Sequence, residues 1–132
     1  MQSTLLATSV LHILSVVFWA GSTFAVARTG SVSADRLFRP RMGAAAVAIV
    51  TGGVLWYLVH RSGFGAQERI LALGAVAAVL AAAAQAALCG SALLQIEGAG
   101  GTRPQARVAL GHRIAAGLLG LTVICMAAAR YA

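Results

Sequence analysis

Four long apolar runs alternate with three short polar gaps along this chain. The runs cover about 5–27, 42–59, 70–94 and 108–129. Each comes near the roughly 20 residues that a helix needs to cross about 30 Å of hydrocarbon. Inside lipid a segment has to satisfy its own backbone amides, so helices are the expected form. The alternating segments of roughly ten residues that mark a transmembrane barrel are absent from the sequence. The gaps carry turn chemistry: Gly30, Ser31, Ser33, Asp35 and Pro40 in the first, Arg61-Ser62-Gly63-Phe64-Gly65 in the second, and Gly98 through Pro104 in the third. The pattern predicts an all-α fold, an antiparallel four-helix bundle in a membrane, forming one domain over residues 1–132.

Composition agrees. The 132 residues are 60% hydrophobic and 10% charged, with a mean hydropathy of +0.87. Soluble domains carry about 25% charged residues, so this chain has too little polar surface to cover a water-soluble globule. Disorder, collagen, a disulfide scaffold and an ordinary soluble enzyme are excluded. Net charge is +7 and every one of the ten cations is an arginine. In a soluble protein that balance would point to nucleic acid. Here the arginines lie between apolar runs, where they act as topology signals, and no nucleic-acid partner is expected. The acids Asp35, Glu68 and Glu97 all lie in the gaps. With no carboxylate inside a run, neither paired-carboxylate catalysis nor a carboxylate proton relay is expected.

Arginine counting sets a direction. Arg28, Arg36, Arg39, Arg41, Arg103 and Arg107 fall in the first and third gaps, and Arg113 stands just inside the fourth run on the same side. Arg61, Arg69 and Arg130 fall on the other side. The richer side is cytoplasmic by the positive-inside rule, which puts both termini outside a bacterial cytoplasmic (inner) membrane. Ala25-Val26-Ala27 has the form of a signal-peptidase site, but no basic segment precedes the run and Arg28 follows it at once, so it reads as a span.

The first run carries the candidate chemistry. Thr8, His12, Ser15, Trp19, Ser22 and Thr23 recur at helical spacing and form one stripe. Polar residues at membrane depth face the bundle interior, so His12 and Trp19 are expected there. His12 is either a hydrogen bond between helices or a ligand. It should lie roughly 10 Å below the outer surface at about 1.5 Å per residue. Gly52 and Gly53 of the second run fall at that depth and leave room for a close helix or a flat cofactor. Thr122, Cys125 and Met126 of the fourth run share the layer, and soft sulfur beside imidazole suits copper(I). His60, at the outer end of the second run, is either an interfacial residue or a ligand. His112 lies toward the opposite face and reads as structural, with Ser91 and Gln95 as expected neighbours. Cys89 and Cys125 fall near opposite faces, which argues against a disulfide. Gln85 is expected to hydrogen-bond near Ser22 and Thr23. Trp56, Tyr57 and Tyr131 are placed as interfacial belt residues.

Two stretches carry a resemblance. Leu11-His12-Ile13-Leu14 followed by Phe18-Trp19-Ala20-Gly21 is similar to the opening helix of the copper resistance protein D-like membrane superfamily. Arg36-Leu37-Phe38-Arg39 and the later Thr51-Gly52-Gly53-Val54-Leu55-Trp56 resemble that superfamily's basic loop and its Thr-Gly second helix. The haem-containing membrane protoporphyrinogen oxidases share a related four-helix pattern, in which a helix-1 histidine ligates haem. Carried over, that role falls on His12. Both families usually carry a lysine early in helix 3, whereas this chain has only Arg69 nearby.

The leading expectation is a membrane protein that binds haem b or a metal inside the bundle, with redox character. His12 would be the axial ligand and His60 the second, Gly52 and Gly53 would make room, and Trp19 would pack against the ring. The alternative is copper(I) handling by His12, His60, Cys125 and Met126. A third reading is a cofactor-free accessory or oligomer-forming subunit. The expected surroundings are the lipid bilayer and a second copy or a larger membrane complex. The sequence assigns no catalytic residue.

Overall fold

The computed structural model describes residues 2–29, 34–60, 65–90 and 103–132, with side chains from 37 onward in the second stretch that begins at 34 and from 106 onward in the last. Helix α1 spans Gln2–Thr29, α2 Ala34–Val59 and α3 Ala66–Gln85. One π-helical turn, Ala86–Gly90, continues α3. Helix α4 spans Arg103–Ala128 and ends in a 3-10 turn, Ala129–Tyr131. No strand occurs among the described residues, and all four helices are long and apolar enough to cross a membrane.

Each helix begins before its apolar run, and α3 with its π turn is described to Gly90, short of the Leu94 expected. The largest difference is in α2, which begins eight residues before the Met42 expected from hydropathy. Pro40, read from the sequence as a loop residue, lies inside the helix. As the seventh residue of the helix it gives up one backbone hydrogen bond and crowds the carbonyl four residues back. At about 1.5 Å per residue the 26 residues of α2 span about 39 Å. That length matches hydrocarbon plus headgroup regions, about 40–45 Å together. The polar first turns therefore stay helical beyond the apolar core.

The packing is inverted relative to a soluble bundle. Trp19, Ala45, Ala48, Ala81, Ala115 and Leu119 form the buried core, so mostly small side chains lie inside. Large aliphatics such as Leu6, Val17, Val50 and Ile124 are exposed on the outside. In lipid there is no hydrophobic drive to hide them, and close backbone approach supplies the association energy instead. The closest approach joins α3 and α4, which run antiparallel. A Cβ added at Gly74 would stand 3.0 Å from the Cβ of Cys125, and one at Gly111 would stand 2.9 Å from the Cβ of Leu88. Helices α1 and α2 also pair antiparallel, with His12 against Ala48 and Ser22 against Arg41. Of the pairs that lie side by side around the bundle, α2 and α3 touch least.

Gly74→Leu should therefore part α3 from α4. Overpacking a tight contact costs about 1–3 kcal/mol. An equilibrium unfolding curve in mixed micelles should shift to lower denaturant. A wild-type curve would mean that the Gly74 contact is dispensable.

Candidate functional site

The His12 side chain is held by α2. Its Nδ1 lies 2.9 Å from the carbonyl oxygen of Ala48 and 3.0 Å from Thr51 Oγ1. A carbonyl only accepts, so Nδ1–H donates. The Thr51 hydroxyl meanwhile gives its own proton to the Val47 carbonyl, 2.6 Å away. This assignment puts the imidazole proton on Nδ1 and leaves a lone pair on Nε2. Ligating histidines are oriented in this way, with the second ring nitrogen donating to a carbonyl. Gly52 seats the ring, since a Cβ there would stand 3.1 Å from His12 Cε1. A Cβ at Gly53 would meet nothing within 4 Å, so that position borders open space.

The space is a cavity of about 540 Å³ with largely apolar walls. Sites for small molecules and cofactors run from about 300 to 1,000 Å³. Helices α1 and α4 form its floor through Val16, Trp19, Leu119, Thr122 and Met126. Its exposed lining residues, Ile49, Gly53, Val59, Ala75 and Val79, all belong to α2 and α3. The mouth therefore lies between the two neighbouring helices with the sparsest contact, on a flank of outward-facing aliphatics.

His60 lines the same cavity. Its ring leans on Trp56, with centroids 5.1 Å apart and planes tilted by 31°. Its Nδ1 is buried and has no hydrogen-bond partner among the described residues. Eight residues separate Gly52 from His60, about 12 Å of helical rise. The two imidazoles thus meet one cavity at different levels. Trp56 turns toward the cavity, whereas Tyr57 and Tyr131 are exposed as belt residues would be.

Trp19 is fixed at the floor by polar contacts. Its Nε1–H donates to Gln85 Oε1 at 2.8 Å. Gln85 Nε2 donates to Thr23 Oγ1 at 2.9 Å, and Thr23 donates back to the Trp19 carbonyl at 2.7 Å. Gln85 so reaches the region expected from the sequence, and it also orients the indole.

The donors expected for a metal do not all converge. His12, His60 and Met126 line the cavity, while Cys125 is not on its wall and packs against Gly74 of α3. Cys89 and Cys125 are both free thiols. Among the described residues no group of three His, Cys, Asp or Glu gathers as a metal site.

A second polar cluster lies toward the other end of the bundle. The Arg41 guanidinium reaches Ser22 Oγ through Nε at 3.3 Å and His112 Nε2 through Nη1. His112 Nδ1 is 3.1 Å from Cys89 Sγ. Arg41, His112 and Cys89 are all buried. From the sequence Arg41 reads as a loop charge, and His112 is expected beside Ser91 and Gln95, which lie outside the described residues. The neighbours found are Arg41 and Cys89. A signal was present: Arg41, Ala45, Ala48 and Gly52 stand four, three and four residues apart, on one helical face. The helical start at Ala34 aligns Arg41 with that inward face.

No protein-family model matches the chain, and no curated protein or solved structure matches it either.

Proposed function

We propose that this chain is a haem b-binding membrane protein of redox character, in which His12 would hold the haem iron. The observation that carries this reading is the His12 side chain itself. Its Nδ1–H is committed to the Ala48 carbonyl, and its ring borders an apolar cavity of about 540 Å³. A bound haem would supply one-electron chemistry at iron. The residues of the chain do the rest. Ala48 and Thr51 set the imidazole tautomer, and Gly52 lets the ring lie close to α2. The apolar walls exclude water and hold a flat hydrophobic group by burial. Trp19, anchored by Gln85, closes the floor. His60 supplies a second imidazole with an unspent Nδ1.

The test is an absorption spectrum of protein purified from haem-replete cells. A Soret band and sharp visible bands on reduction are expected. In His60→Ala the pigment should remain with an altered spin state. Colourless protein would overturn the haem reading. Copper(I) is the second reading, favoured by Met126 on the same cavity wall as both histidines. It would show as copper bound by colourless protein and lost in both His12→Ala and Met126→Leu.

The same proposal places the chain in a bacterial cytoplasmic membrane with both termini outside, supported by the arginine distribution. A reporter that works only in the cytoplasm, fused after Ala132, should stay inactive. Activity there would reverse the topology.

A further inference from the structure

We propose that the buried guanidinium of Arg41 anchors a second site, which takes a small monovalent anion. This site is independent of the haem reading. Arg41 is 1% exposed. Arginine is a donor only and stays charged. Its Nε is spent on Ser22 Oγ and its Nη1 on His112 Nε2. Its Nη2 is buried and has no partner among the described residues.

The partners supply no negative charge. Because Nη1 donates to His112 Nε2, the single proton of the neutral imidazole sits on Nδ1. That proton faces Cys89 Sγ at 3.1 Å, and the thiol in turn faces the Val108 carbonyl at 3.9 Å. Every member of this chain is matched as donor or acceptor, and each is neutral except Arg41. A second proton on His112 would set N–H against N–H and cation against cation. Among the described side chains the one carboxylate is Glu68, whose Oε2 accepts from the Gly65 amide at the start of α3. Cys89 stands 21 positions after Glu68, about 30 Å of helical rise. Among the described residues the bundle thus buries a cation with no counter-charge and with one group, Nη2, that has no acceptor, an arrangement that is costly away from water.

One ligand class answers both needs: a single negative charge that accepts a hydrogen bond from Nη2. Enclosure sets its size. Ser22 of α1 and His112 of α4 contact the guanidinium of α2, and Cys89, after α3, backs the far side of His112. A halide or nitrate suits such a place, whereas a phospholipid headgroup would need its acyl chains to leave the bundle. The anion would tie four helices together at the end opposite the His60 side of the cavity.

The test uses the full chain in mild detergent, exchanged into gluconate, with thermal unfolding followed by circular dichroism. Chloride or nitrate replaces gluconate at constant ionic strength. A saturable rise in unfolding temperature of a few degrees is expected, with broadening of the chloride NMR line. Arg41→Gln should abolish both effects. Should that variant fail to fold, Ser22→Ala, which keeps the cation, should shift the half-saturating concentration. An unfolding temperature equal in chloride and gluconate would overturn the site, as would an anion response that survives in Arg41→Gln. A chloride response that emerges only in Asp35→Asn or Glu97→Gln would overturn it too, because the chain's own carboxylate would then be the counter-charge. A response to added anionic phospholipid and not to chloride would replace the small anion with a headgroup.

Discussion

Replacing His12 with alanine is expected to leave a folded and colourless protein. The two consequences separate because they rest on different contacts. The fold rests on small-residue packing around Trp19, Ala45, Ala48, Ala81, Ala115 and Leu119. The imidazole adds only its Nδ1–H contact to Ala48 and Thr51. Hydrogen bonds between helices in lipid average about 0.6 kcal/mol and reach about 1.7. Helical circular dichroism should therefore persist. Pigment should not. Removing an outer-shell partner of a ligand typically costs about 10- to 100-fold in affinity, and removing the ligand costs more. His60 lies about 12 Å of helical rise from the Gly52 level and is not placed to substitute. Thr51→Val, which keeps the Ala48 carbonyl, should give the smaller loss. The readout is haem content by alkaline pyridine spectroscopy, normalised to protein. Wild-type haem content in His12→Ala would remove the site from helix α1.

How much of this was legible in the sequence depends on the contrast each residue makes with its neighbours. Hydropathy located all four helices, because lipid imposes a long apolar run on each. It misplaced the start of α2 because Pro40 and three nearby arginines look like a loop, although the helix passes through them. That single error hid the second cluster. A loop arginine is a topology signal, whereas a helical Arg41 in phase with Ala45 and Ala48 must point inward. His12 was legible because a histidine within an apolar run is anomalous by itself. Depth counting also brought Gly52 beside it, where the added Cβ would stand 3.1 Å from the ring. Counting gave no rotation about the axis, however. Cys125 and Met126 are adjacent in sequence and level, yet only Met126 lines the cavity. One residue turns a helix by about 100 degrees, which is enough to send neighbouring sulfurs to different faces.

His112→Leu is expected to be the most destabilising of the single substitutions that keep Arg41. It removes the acceptor for Nη1 and leaves the guanidinium buried with Ser22 alone. Hydrogen bonds to charged groups are worth about 1.5–3 kcal/mol, and stranding a buried charge costs more than forgoing the bond. Cys89→Ala should cost less, because the thiol contacts only the far side of the imidazole. The sharper expectation concerns the pair. In Arg41→Leu/His112→Leu no charge is left inside, and apolar replacements of buried polar pairs are often neutral or stabilising. The double variant should therefore recover much of what His112→Leu loses, giving a coupling energy that marks the contact itself. Equilibrium unfolding in mixed micelles measures all four species of the cycle. Pigment in His112→Leu should match wild type, since His112 does not line the cavity that His12 borders. Additive losses in the cycle would mean that the Arg41–His112 contact carries no energy. Pigment loss in His112→Leu would join the two clusters into one site.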